Sequence, residues 1–318
     1  MKADFADFVR PESRRPPAPR RCAAPDDIID CNARTHFRVC HTDETASDMR
    51  ACYINLDSAT DRRASVERNM AEHLPARWRV ERFAAIDKST ASARPGSLRD
   101  ADKACNLSHR GVLERSLAHT EHVLVLEDDV LFGPSSAANI DSAVATLPDG
   151  SWDVLYTDIC VPQLQQMVEL LQFRRQLVAA GQATFLDLAQ MQFAGATAYV
   201  VHRDAKAKIL ALLDRQSSFD QPYDLFLRDR YAAGDLTGRV MFPFSTSLSK
   251  HADASSIQNA GGLADFVWNA YRRLVWVDRD CALVRDQLER MPGDALDEEA
   301  QIAAQILALQ LSPQFRMH

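Results

Sequence analysis

The chain has 318 residues, 46% hydrophobic and 25% charged, and these ordinary globular values exclude wholesale disorder, a collagen-like rod and a coiled coil. Its 37 Lys plus Arg against 44 Asp plus Glu leave a net charge of -7, which provides no broad basic footprint for nucleic acid or an anionic membrane. The length suits about two domains, or one large α/β domain with extensions.

No window approaches the roughly 18 uninterrupted apolar residues of a membrane span. The start, MKADFADFVRPESRRPPAPRR, lacks the apolar stretch of a secretory signal. We therefore expect a cytoplasmic, reducing setting, with peripheral membrane association or non-classical export left open. The seven cysteines (22, 31, 40, 52, 105, 160 and 281) contain no CxxC pair and no zinc spacing, so they read as plain thiols. Oligomeric state is not legible.

In chain order, residues 1–48 are rich in proline and arginine and lack apolar periodicity, and read as a flexible or peripheral extension. Ala51 to Leu56 predicts a strand. The following DSATDRRASVERNMAEHL predicts a helix on Val66, Met70 and Leu74, with Ser or Asp as N-cap. Trp78 to Ile86 reads as a second strand, Asp87 to Asp102 as a loop, and Asn106 to His119 as a helix. His122 to Val130, HVLVLEDDV, has the uninterrupted apolar run of a strand covered on both faces. Trp152 to Thr157 and Ala196 to Val201 add strands, and Gln163 to Ala180 and Asp204 to Leu213 add helices. Lys206 and Lys208 read as solvated charges on the last of these. Beyond Gly261 the chain turns mostly helical. The alternation predicts an open α/β sheet flanked by helices.

The chemistry concentrates at Glu127, Asp128 and Asp129, where a buried strand ends. Ligands of open α/β sheets bind beyond the carboxyl ends of strands. Strand alternation sends Glu127 and Asp129 to one side, where they can share a hard cation, and Asp128 to the other. The plain alternative is a helix cap or a solvated turn. A phospho-receiver would need an acceptor Asp and a Lys further on, which the neighbourhoods of Glu169 and Pro222 lack. A glycoside hydrolase needs carboxylates on either side of a bond, which adjacent acids do not supply.

Five blocks occur in order: YINLDSATDRR (53–63), CNLSHRGVLERSL (105–117), VLVLEDDVLF (123–132), GATAYVVHRDAKAKIL (195–210) and SSI (255–257). Together they resemble glycosyltransferase family 25, which includes lipopolysaccharide-biosynthesis and collagen-type galactosyltransferases. The resemblance implies a GT-A-type fold over residues 49–260 and a helical segment over 261–318. It also implies a UDP-sugar donor, commonly UDP-galactose, a Mn2+ or Mg2+ ion, a glycan or protein acceptor, and inversion at the anomeric carbon. Glu127-Asp128-Asp129 then corresponds to the DxD-type motif, with Asp129 first on the ion, Glu127 on the ion or the donor ribose, Asp128 in support and His251 as a further ligand.

On the donor side stand Asn55 and Asp57 for the nucleoside and Arg62 and Arg63 for the diphosphate, with an N-cap and an exposed first turn as their alternative. Ser108 and His109 are expected at the start of a helix lining the cleft, and Gly195 where the backbone approaches closely. An inverting transfer needs a base, for which Asp224 in QPYDLFLRD is favoured over Asp158. Two departures stand out: Ala104 occupies the place of a family glycine, and Val161 to Phe193 does not align. A non-catalytic module that keeps the fold and binds a nucleotide sugar or a protein is the competing reading.

Overall fold

The computed structural model describes residues 37–38, 49–254, 263–279 and 281–289. Strand β1 (Phe37–Arg38) is followed by β2 (Arg50–Asn55), α1 (Thr60–His73), β3 (Arg79–Ala84), α2 (Lys88–Ala91), α3 (Asp100–Ser116), β4 (Val123–Glu127) and β5 (Val130–Leu131). Next come α4 (Ser136–Thr146), β6 (Val154–Tyr156), α5 (Leu164–Ala179), β7 (Gln182–Asp187), β8 (Ala198–Val201), α6 (Lys206–Leu213) and α7 (Tyr223–Ala233). The described chain closes with β9 (Gly238–Phe242), β10 (Ser247–Leu248), α8 (Leu263–Val275) and α9 (Cys281–Glu289).

The main sheet has the order β1-β7-β9-β6-β8-β4-β2-β3. Strands β2, β3, β4, β6 and β9 run one way, while β7 and β8 run against them. A small ribbon pairs β10 with β5. This mixed sheet between helices agrees with a GT-A-like fold and with the α/β class expected from the sequence. Of residues 1–48 only β1 is described, paired antiparallel on β7.

Period-two alternation builds a core on each face of the sheet. Val123 and Val125 of β4 pack with Val112 and Leu113 of α3 and with Tyr199. Leu124 and Leu126 pack on the other face with Val66 and Met70 of α1 and Ile140 of α4. The four apolar residues of β4 are fully buried, as the apolar run predicted.

Local expectations needed correction at several places. Helix α3 begins at Asp100, six residues before the expected start, because its polar first turn is favoured by Asp100 and Asp102 at the positive end of the helix dipole rather than by apolar periodicity. Ala104 is therefore an interior helical residue, where alanine is a good helix former and no glycine turn exists. Helix α1 has Ala59 at its N-cap position without a side-chain cap bond, so neither Asp57 nor Ser58 caps it. Lys206 is buried, not solvated: its ammonium donates to the carbonyls of Ser116 (3.1 Å), His119 (2.9 Å) and Glu121 (2.6 Å), closing the end of α3 and the turn after it. The unaligned stretch contains α5 and also β7, which the sequence reading missed.

Helix α8 packs Ala270, Tyr271 and Val275 into the molecule, so this part of the C-terminal segment joins the core. No helix among the described residues is long and apolar enough to cross a membrane.

Candidate active site

The topology brings four segments to one end of the sheet. Asn55 ends β2, Glu127 ends β4, and Asp158 follows β6 by two residues. Strand β8 runs antiparallel, so the residues entering it, Gly195 to Thr197, arrive at this same end. The Glu127 N–H donates to the Thr197 carbonyl at 2.8 Å, tying the two segments together.

Beyond Glu127 the strand gives way to a turn, and the predicted alternation of the acids stops there. Glu127 faces α3, where its Oε1 lies 3.3 Å from His109 Nε2. Asp128 accepts from Asn55 Nδ2 at 2.7 Å and from Arg62 Nε at 2.7 Å. Arg62 also reaches Asp129 at 3.3 Å, so one guanidinium from α1 bridges both aspartates. Arg82 in turn holds the Asn55 Oδ1 at 3.2 Å and pairs with the exposed Asp57 at 2.5 Å. Arg63 takes no part in these contacts.

The two ends of the acidic run have opposite electrostatics. Burial pushes Glu127 up, but the His109 contact and the charges of His109, Arg272 and Arg62 outweigh it and hold the carboxyl below its ordinary value. Burial first, and the charge of Glu127 second, push Asp129 up to about 7 against the opposing pull of Arg62. Asp129 Oδ1 is buried with no hydrogen-bond partner. A buried carboxylate oxygen of this kind calls for a cation, so the acids fit a hard divalent ion. His251 sits on the turn Lys250–Ala254, where its carbonyl accepts from Arg62 at 3.4 Å and its ring makes no ion pair with the acids. The Ser249 N–H donates to the Asp129 carbonyl at 2.8 Å, which fastens this turn to the acid loop.

His109 and Ser108 lie in the middle of α3, not at its start. The Ser108 hydroxyl donates to the Ala104 carbonyl (2.7 Å) and accepts from the Ile86 N–H (2.9 Å), so it braces the chain after β3. His109 Nδ1 is 2.9 Å from the Tyr199 hydroxyl, and the imidazole stacks on Tyr223 with centroids 4.5 Å apart. Cys105, one turn earlier, joins His109 and Glu127: one ligand atom from each lies within 4.8 Å of the others. Burial, then Glu127 and Asp224, push the Cys105 thiol well up. The i, i+4 spacing of Cys105 and His109 was visible in the sequence, but it carries meaning only once α3 is known to start at Asp100.

The two candidate bases differ in their freedom. Asp158 is wholly buried, paired with Arg272 (Nε at 2.9 Å) through one oxygen and contacted by the Thr246 hydroxyl (3.3 Å) through the other. Asp224 opens α7 and accepts the Gly195 N–H at 2.5 Å; burial pushes it up, partly offset by that bond. Gly195 adopts φ 89°, a left-handed conformation that favours glycine. A Cβ there would meet its nearest neighbour, Arg272 Nη1, at 3.7 Å, so backbone conformation rather than close approach explains the residue. Arg272, missed in the sequence, also donates to the Thr197 hydroxyl at 2.9 Å.

The SSI block at 255–257 lies outside the described residues. The model of glycosyltransferase family 25 (LPS biosynthesis protein) matches residues 49–227, more than half of the chain. No curated protein matches it significantly. The matched span carries Asn55, Arg62, His109, the three acids and Asp224, and ends before α8. The chain belongs to glycosyltransferase family 25, whose members use a sugar donor and an acceptor.

Proposed function

We propose that the chain transfers a hexosyl group, galactose first among candidates, from a UDP-sugar to a hydroxyl of a glycan or protein, with inversion and with Mn2+ or Mg2+ at the acids. The observation that carries this reading is the unpartnered, buried Asp129 Oδ1 beside Glu127 at the carboxyl end of β4. Asp129 and Glu127 would hold the ion, with His251 as a further ligand; when bound it neutralises charge on the departing diphosphate. Asn55 and Arg62 fix Asp128, and through it the floor of the donor side.

The acceptor oxygen forms the new bond to the anomeric carbon while the bond to the UDP oxygen breaks, its electron pair leaving with UDP. Asp224 takes the hydroxyl proton. Its raised affinity for protons suits a base, and its half-buried place at the head of α7 leaves it approachable. Asp158, with both oxygens engaged inside the protein, serves to hold Arg272.

The test is UDP release from a panel of UDP-sugars with manganese, with and without chelator, on the native chain and on Asp129→Asn and Asp224→Asn. Metal-dependent release from one donor, lost in Asp129→Asn, supports the reading. If no donor is turned over, binding of UDP with manganese decides: a chain that binds neither is not this transferase.

A further inference from the structure

We propose that Cys105, His109 and Glu127 form a site for a thiophilic divalent ion of the zinc class, separate in chemistry from the hard-cation position at Asp129. The three residues sit on two rigid elements. Cys105 and His109 are one turn apart on the same face of α3, and Glu127 is the last residue of β4. One ligand atom from each falls within 4.8 Å of the others. A thiolate, an imidazole and a carboxylate with a fourth position open make a set that Zn2+ or Co2+ accepts and that Mg2+ disfavours.

The contacts around His109 show how its ring is held toward the other two ligands. The Tyr199 hydroxyl donates to Tyr223 at 3.0 Å and lies 2.9 Å from His109 Nδ1. His109 Nε2 lies 3.3 Å from Glu127 Oε1, so the ring edge and the carboxylate point at each other. Tyr199 is placed as the outer partner that orients a metal-ligating histidine, and Tyr223 stacks on the ring to hold its plane. Coordination forms a metal–sulfur bond and releases the thiol proton to solvent. The site shares Glu127 with the hard-cation position, and its consequence, that the ion competes for Glu127 and antagonises transfer, rests on the transfer reading.

The experiment uses the full chain, reduced and stripped with chelator, titrated with Co2+. The expected result is a stoichiometric thiolate-to-cobalt charge-transfer band, displaced by Zn2+, lost in Cys105→Ser and kept in Asp129→Asn. Tyr199→Phe should weaken binding by about 10–100-fold, the usual effect of removing the outer partner of a histidine ligand. A native chain without the band, a band that survives Cys105→Ser, or one lost in Asp129→Asn overturns the proposal. Because Cys105→Ser alters helix α3 itself, a second measurement uses the native chain alone: Zn2+ should protect the half-buried Cys105 from alkylation, read by peptide mass spectrometry, and leave the exposed Cys281 unprotected. Equal labelling of Cys105 with and without zinc also overturns it.

Discussion

The acids at the end of β4 and the arginines of α8 meet at one end of the sheet, yet they come from regions built on different logic. Residues 49–227, the span the family matches, bring Asn55, Arg62, His109 and Glu127 to Asp129, each at a strand end or on a helix beside one. The region after it brings mainly fastenings. Arg272 grips Asp158 across 114 positions, and Arg273 donates to the carbonyls of Leu248 (3.0 Å) and Ser249 (2.8 Å), which hold the turn carrying His251. The first region supplies the groups that the proposed transfer would use, and the second fixes the loops on which they stand. Substitutions in the first should cost activity with the fold intact, and those in the second should cost the fold.

The largest expected effect tests the second half of that comparison. Arg272→Met leaves Asp158 charged, buried and unpaired, and should lower stability in a urea titration by about 3–5 kcal/mol. Adding Asp158→Leu removes the stranded charge and should restore most of the loss. If the double variant recovers its stability and its UDP release, Arg272 is a fastening; a stable but inactive double variant would move it into the chemistry and break the comparison.

Asp129→Asn tests the first half. UDP release should fall about 10²–10³-fold, the size typical of removing one preorganised electrostatic group, while the unfolding midpoint stays near that of the native chain. A loss of fold here would mean that Asp129 is chiefly the partner of Arg62.

The same division explains what the sequence made legible. The buried strand β4 and the acids behind it are local patterns, read from VLVLEDD alone. The alternation argument reaches only as far as Glu127, because Asp128 and Asp129 stand on a turn, which has no two-residue period, and one arginine from α1 reaches both aspartates. Cys105 and His109 were read apart because the polar first turn of α3 hid the helix that joins them. Arg272 left no signal: in NAYRRLV it looks like a solvated helix charge, and what buries it is a carboxylate far away in sequence. The sheet's reversed strands are likewise invisible to a local pattern, since a buried strand reads the same in either direction.

Lys206 belongs to the matched span but behaves as a fastening, so it sharpens the comparison. Lys206→Met removes three hydrogen bonds to the carbonyls that end α3 and should cost about 1–3 kcal/mol. Amide exchange should speed up in the last turn of α3 ahead of β4. A uniform increase over both elements would mean that the lysine supports the whole core and not the helix end.

The smallest effect is a pH dependence far from the acids. His122 packs its ring against His202 (centroids 4.6 Å) and Trp152 (5.3 Å), and its Nδ1 accepts the Arg203 N–H at 3.0 Å. Burial, then the neighbouring charges of His202 and Arg203, lower it to about 4 from an ordinary 6.5, with Asp149 opposing. The unfolded chain therefore takes up this proton first as pH falls. The stabilisation is present in full above pH 6.5, declines between 6.5 and 4, and is gone below the folded value. His122→Asn keeps an acceptor for the Arg203 N–H but cannot titrate in this range, so the stability difference between pH 7 and pH 4.5 should be smaller in the variant than in the native chain. Equal slopes would shift the acid sensitivity to the carboxylates, and with it the weakest point of the fold to the end of the sheet where Asp158 and Arg272 meet.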